Sequence, residues 1–65
     1  LTGQDSAVMD ALMMLDDDTR LIMQMYYYEG YSVKEISIIT KIKETSVYMR
    51  LSRGRKKMRR ILSGQ

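Results

Sequence analysis

The chain has 65 residues, a net charge of +3, 29% charged side chains and no Cys, His or Pro. That length allows one small domain, expected to bury only about 60% of the surface its unfolded form exposes. Without Cys there are neither disulfides nor thiolate metal sites, and without His the commonest metal ligand and general base are gone, so no catalytic residue, metal or cofactor is expected.

No apolar run approaches the roughly 20 residues that cross a bilayer, and no signal-peptide pattern opens the chain, which fits a cytoplasmic setting. One domain over residues 1–65 is expected, and the opening at Leu1 without an initiator Met reads as a domain taken from a longer chain. Charge is unevenly placed: residues 1–30 hold six acids and one base, residues 31–65 two acids and ten bases. Such polarity points to a polyanion held at one end, with nucleic acid the leading class and a membrane surface its rival.

Sparse punctuation, with Gly only at positions 3, 30, 54 and 64, predicts an all-α fold of four helices. In "DSAVMDALMML" the residues Val8, Leu12 and Leu15 recur at helical spacing, with Asp5 or Ser6 as N-cap, and predict a first helix of about ten residues. "DDDTRLIMQMYYYEG" places carboxylates at the positive end of a second helix, from about Asp17 to Tyr28, and Gly30 at its left-handed exit. Helix-start electrostatics accounts for Asp16, Asp17 and Asp18 better than a metal site does. The run Tyr26 to Tyr28 points three ways round a helix, so core and rim packing is expected rather than base stacking. The Met residues are expected mainly as core gap-fillers, with Met49 facing outward.

"SVKE" is a capping box that starts a third helix at Val33. Its inner side is expected to carry Ile36, Ile39 and Thr40, and it ends near Lys41. A turn in "KIKET" then leads to the last helix, so that residues 33–62 form a helix-turn-helix. On the last helix Val47, Leu51, Gly54, Met58, Ile61 and Leu62 share one stripe, assigned to the core. The opposite stripe is Thr45, Met49, Ser52, Arg53, Lys56 and Arg60, with Ser46, Tyr48 and Arg50 at its edges. It begins uncharged and becomes cationic. A recognition helix reads base edges with its first turns and meets phosphates with later ones, so these nine residues are the expected DNA contacts.

"YYEGYSVKEIS" and "SVYMRLSRGRKKMRRIL" together resemble the C-terminal domain, domain 4, of sigma-70-family sigma factors, particularly the extracytoplasmic-function group, over about residues 8–62. The resemblance implies a compact four-helix domain whose helix-turn-helix reads the minus-35 element of double-stranded promoter DNA during transcription initiation. It also implies docking on the β flap of RNA polymerase core. Where the family is usually basic or small this chain has Tyr48 and Met49, so the base preference does not carry over. Lys41 replaces the usual turn Gly and Thr40 the usual Leu, which predicts a wider or less well packed turn. Leu21, Tyr26 and Ile38 stand where polar residues are more usual, and this apolar surplus is expected to meet the flap or an inhibitory anti-sigma protein.

Alternatives from the same residues are a LuxR-type response-regulator effector domain, which shares "EG-x-S-x-x-EI", and a helix-turn-helix that binds only protein. A basic helix lying on lipid is not expected, because the apolar stripe is needed for the core.

Overall fold

The computed structural model describes residues 3–64, with side chains from residue 6 onward. Four helices follow one another: α1 (Gly3–Met13), α2 (Asp17–Tyr27), α3 (Val33–Thr40) and α4 (Glu44–Leu62). Helix α4 packs against each of the other three, and α3 also packs on α2. The core lies along the inner stripe of α4, where Val47 and Leu51 meet Leu12, Leu15, Ile22, Met23, Met25, Val33 and Ile36.

Local chemistry explains most boundaries. Asp16 caps α2, its carboxylate accepting from the Thr19 amide at 3.1 Å. The α2 exit is closed by hydrogen bonds from the Tyr28 and Glu29 amides to the Gln24 carbonyl, and Gly30 takes φ +77° where a side chain would be strained. Ser32 and Glu35 form the full reciprocal box: the Glu35 amide donates to the Ser32 hydroxyl at 3.1 Å, and the Ser32 amide to the Glu35 carboxylate at 2.9 Å. The Ser32 amide, and after it the Ser32 hydroxyl, favour the charged form and hold the Glu35 carboxyl below its ordinary pKa.

Several expectations need correction. Helix α1 begins at Gly3, so Asp5 and Ser6 lie inside its first turns and neither precedes it as a cap. Ile39 is 55% exposed, because Val33 and Ile36 already fill the short contact that eight residues of α3 can make with α2 and α4. Leu62 is exposed and Ile61 half-buried, since the last turns of α4 run past the helices that would cover them. Only Met23 and Met25 are buried and Met58 is partly so, while Met9, Met13 and Met14 join Met49 on the surface. All three consecutive tyrosines are exposed: Tyr26 and Tyr27 stack edge to face at 5.0 Å, and the Tyr27 hydroxyl accepts from Arg55 at 3.0 Å. They form rim, and no part of the core.

The turn between α3 and α4 is tight. Only residues 41–43 separate the helices. Lys41 adopts the left-handed conformation, φ 63°, that the usual Gly would take without strain. Thr40 compensates: its hydroxyl donates to the Ile36 carbonyl at 2.7 Å and accepts from the Ile42 amide at 3.3 Å. The substitutions that predicted a loose turn are thus accommodated by one strained backbone angle and one doubly used hydroxyl.

Gly54 is buried where α4 crosses α2. A β-carbon there would lie 2.9 Å from the Met23 sulfur and 3.1 Å from the Thr19 methyl. Gly54→Leu is expected to lower unfolding free energy by about 2 kcal/mol, because overpacking, which costs roughly 1–3 kcal/mol, acts at a closed helix crossing. Chemical denaturation of the two proteins checks this. An unchanged midpoint would show that α2 and α4 separate freely.

Candidate nucleic-acid interface

The chain places seven of its eleven Lys and Arg on α4, and packing determines which of them stay available. Val47 and Leu51 turn inward, which leaves Thr45, Tyr48, Met49, Arg53, Lys56 and Arg60 exposed on α4, with Ser46, Arg50 and Ser52 half-buried. Tyr48 is 61% exposed and Met49 46%, large apolar surfaces for a helix with this many charges. The first two turns of the open face are therefore hydroxyl and apolar, and the cations begin at Arg53. That graded face survives in three dimensions.

Arg50, expected among the DNA contacts, is engaged within the domain. Its guanidinium reaches back across the domain, donating to the Asp16 carboxylate at 3.0 Å and the Thr19 hydroxyl at 3.3 Å, with the Asp18 carboxylate 3.9 Å away. It ties the middle of α4 to the start of α2. The acidic run is consumed locally: Asp16 caps α2 and pairs with Arg50, Asp17 pairs with Arg20, and Asp18 lies beside Arg50. Arg20 also donates to the Leu15 carbonyl at 3.0 Å, fixing the α1–α2 corner. Of the three arginines at 50, 53 and 55, the outer two are held by Asp16 and Tyr27, and Arg53 forms no ion pair among the described residues.

A groove of about 340 Å³ runs between that corner and the outward face of α4, lined by Leu15, Asp16, Thr19, Ser46, Met49, Arg50, Arg53, Gly54 and Lys57. Lys57, which also lines this groove, belongs to neither stripe read from the sequence. Lys41 and Lys43, both exposed in the turn beside α4, are likewise outside the nine expected contacts. The three apolar residues at positions 21, 26 and 38 are exposed but not gathered: Leu21 opens on a separate groove with Met25, Tyr31, Ile39 and Ile42, which neither Tyr26 nor Ile38 lines.

A sequence model of the family described as "Sigma-70, region 4" matches residues 5–58, which covers the capping box, the turn, the first turns of α4 and its early cations. The chain belongs to the sigma-70 region 4 family. Comparison with curated proteins and with solved structures gave no match. Sigma-70 region 4 is a helix-turn-helix family that binds DNA in promoter recognition, has no enzymatic role and works with RNA polymerase. Membership displaces the LuxR-type alternative. Among the described residues no helix is long and apolar enough to cross a membrane.

In this region 4 domain the Thr19 hydroxyl and amide, and then the Arg50 guanidinium, hold the Asp16 carboxyl below its ordinary value of 3.8. The folded value is the lower one, so the stabilisation is complete above about pH 3.8 and drains as the pH falls through the folded value. Asp16→Asn keeps a competent cap but removes the charge, and its stability is expected to vary less than wild type across that acid window. Arg50→Met is expected to cost about 1 kcal/mol, the upper end for a solvent-screened pair. It should leave the salt slope of DNA binding unaltered. Acid titration followed by circular dichroism, with binding measured at several salt concentrations, checks both; a reduced slope in Arg50→Met would return Arg50 to the DNA contacts.

Proposed function

We propose that this domain recognises the minus-35 element of bacterial promoters, with α4 in the major groove and α3 across its rim, and that it docks on the β flap of RNA polymerase. It acts in the cytoplasm as one DNA-binding domain of a longer initiation factor. The observation that carries this is the face of α4, where exposed Thr45, Tyr48 and Met49 precede exposed Arg53, Lys56 and Arg60. Base edges are discriminated by short-range hydroxyl and apolar contacts, and phosphates by charge, so this order suits a helix entering the groove by its N-terminal end. Met49 favours a thymine methyl, the apolar marker of the major groove, with Tyr48 and Ser52 supplying hydroxyls beside it.

Binding isotherms on duplex DNA separate the two halves of the face. Arg53→Ala and Lys56→Ala each weaken binding to any duplex and flatten the dependence of log affinity on log salt by roughly 0.9. Met49→Ala costs about 1 kcal/mol on the preferred site and leaves nonspecific affinity nearly unchanged. Unaltered affinity and slope in both cation variants would reject this docking.

For the flap, the support is exposed apolar side chains at separate places, Leu21 in its groove on α2 and Ile38, 69% exposed, on α3. An anti-sigma protein is the second partner for the same side chains. Leu21→Glu and Ile38→Glu leave the helix content unchanged and weaken binding to the isolated flap at least tenfold, measured by titration. Equal affinities with a retained fold would remove these residues from the docking surface.

A further inference from the structure

The groove of about 340 Å³ beside α4 carries three cations, Arg50, Arg53 and Lys57, and one acid, Asp16. Arg50 and Asp16 neutralise each other across 3.0 Å. Arg53 and Lys57 are left: both are exposed, and neither forms an ion pair among the described residues. Four residues apart, they lie about 6 Å from each other along the helix axis and about 40° round it, so both can reach one anionic group or two linked ones. A guanidinium forks onto phosphate oxygens and an ammonium meets them as a point charge, which makes this pair a clamp for a diphosphate.

Two sources supply phosphate, the duplex backbone and a small ligand, and the acid in the groove favours the ligand. Asp16 binds Arg50 and the Thr19 amide through Oδ2, and no other residue's side chain or amide among those described engages Oδ1. A carboxylate oxygen accepts hydrogen bonds and cannot donate them, so it repels a second backbone phosphate. A free ribose donates to it through its hydroxyls, whereas the sugar of DNA, esterified and lacking its 2′-hydroxyl, offers it no donor. Leu15 and Met49 line the same space and give a flat base an apolar surface. The volume falls at the lower end of the roughly 300–1,000 Å³ of small-ligand sites, which suits a mononucleotide.

From these observations we infer that the groove is a binding site for a ribonucleoside diphosphate: Arg53 and Lys57 hold its phosphates, the Asp16 carboxylate accepts from its ribose hydroxyls, and Leu15 and Met49 carry its base. The site stands independently of how α4 meets DNA. One consequence does rest on the recognition-helix reading. Met49 and Arg53 belong to the face proposed for the major groove, so a bound nucleotide covers them and competes with duplex, and the domain gives up DNA as the nucleotide concentration rises.

Calorimetric titration at fixed ionic strength with ADP, 2′-deoxy-ADP and inorganic pyrophosphate tests the site, with circular dichroism as the check on folding of the variant. Wild type is expected to saturate with ADP at a single site and to bind 2′-deoxy-ADP and pyrophosphate about fivefold more weakly, the loss of one hydrogen bond or more. Lys57→Gln is expected to weaken ADP binding about tenfold, the loss of one charge-assisted contact, while keeping the wild-type affinity and salt slope for duplex DNA. ADP is also expected to displace labelled duplex from wild type. Equal affinities for the three ligands, or no saturation with any of them, would overturn the inference, since the cations then act as a diffuse anion surface. A salt slope flattened by roughly 0.9 in Lys57→Gln would overturn it too, because Lys57 would then be a contact to the duplex backbone. If ADP meets the binding criteria and displaces no duplex, the site stands, the competition falls, and Met49 and Arg53 leave the proposed DNA face.

Discussion

At Gly54 the backbone of α4 lies against the Met23 sulfur and the Thr19 methyl, closer than any residue with a β-carbon allows without displacing them. The placement of the other helices follows from this contact. With α4 seated on α2, Val47 and Leu51 reach Ile22 and Ile36 in the centre, and one turn before Gly54 the Arg50 guanidinium reaches Asp16 and Thr19. A glycine and an arginine four residues apart thus fix both the depth and the rotation of a helix that has to close a core on one side and meet a polyanion on the other. Any change of rotation would carry Met49 and Arg53 away from the open face together with their backbone.

Electrostatics adds a second layer of order. Three of the six acids in the first thirty residues, Asp16 to Asp18, stand at the start of α2, where they cap that helix and hold two arginines. Those cations are spent on structure. Within "RLSRGRKKMRR", Arg50 is held by Asp16 and Arg55 by the Tyr27 hydroxyl, so fewer cations are without a partner in the domain than the count of basic residues suggests. A net charge of +3 therefore understates the polarity of the molecule and its basic run overstates the number of free contacts.

The features readable from the sequence were those whose cause lies within a turn or two of chain. The Ser32 and Glu35 box, the left-handed Gly30, the inner stripe of Val47 and Leu51 and the uncharged start of the outward stripe of α4 all depend on neighbours three or four residues away. What escaped depends on distant partners. Arg50 looks like one more outward cation until Asp16, 34 residues earlier, is brought beside it. Ile39 fits a helical period, yet whether it is buried depends on how much of α2 and α4 a helix of eight residues can cover. The tyrosines and most of the methionines were misjudged for the same reason: a chain this short has more apolar side chains than its interior can hold, and composition does not say which are left outside. Lys41 and Thr40 were misread because each was judged singly, whereas the turn works through the pair.

That turn has a thermodynamic consequence. The Thr40 hydroxyl is used as donor and acceptor at once, and the three-residue connection leaves α3 and α4 no room to hinge. In the docking proposed above, the helix pair would meet a groove at its final angle, as a preorganised wedge, and association would carry little ordering entropy from the protein. The heat-capacity change on binding would then report the apolar surface of Tyr48 and Met49 that this docking buries, undiluted by coupled folding.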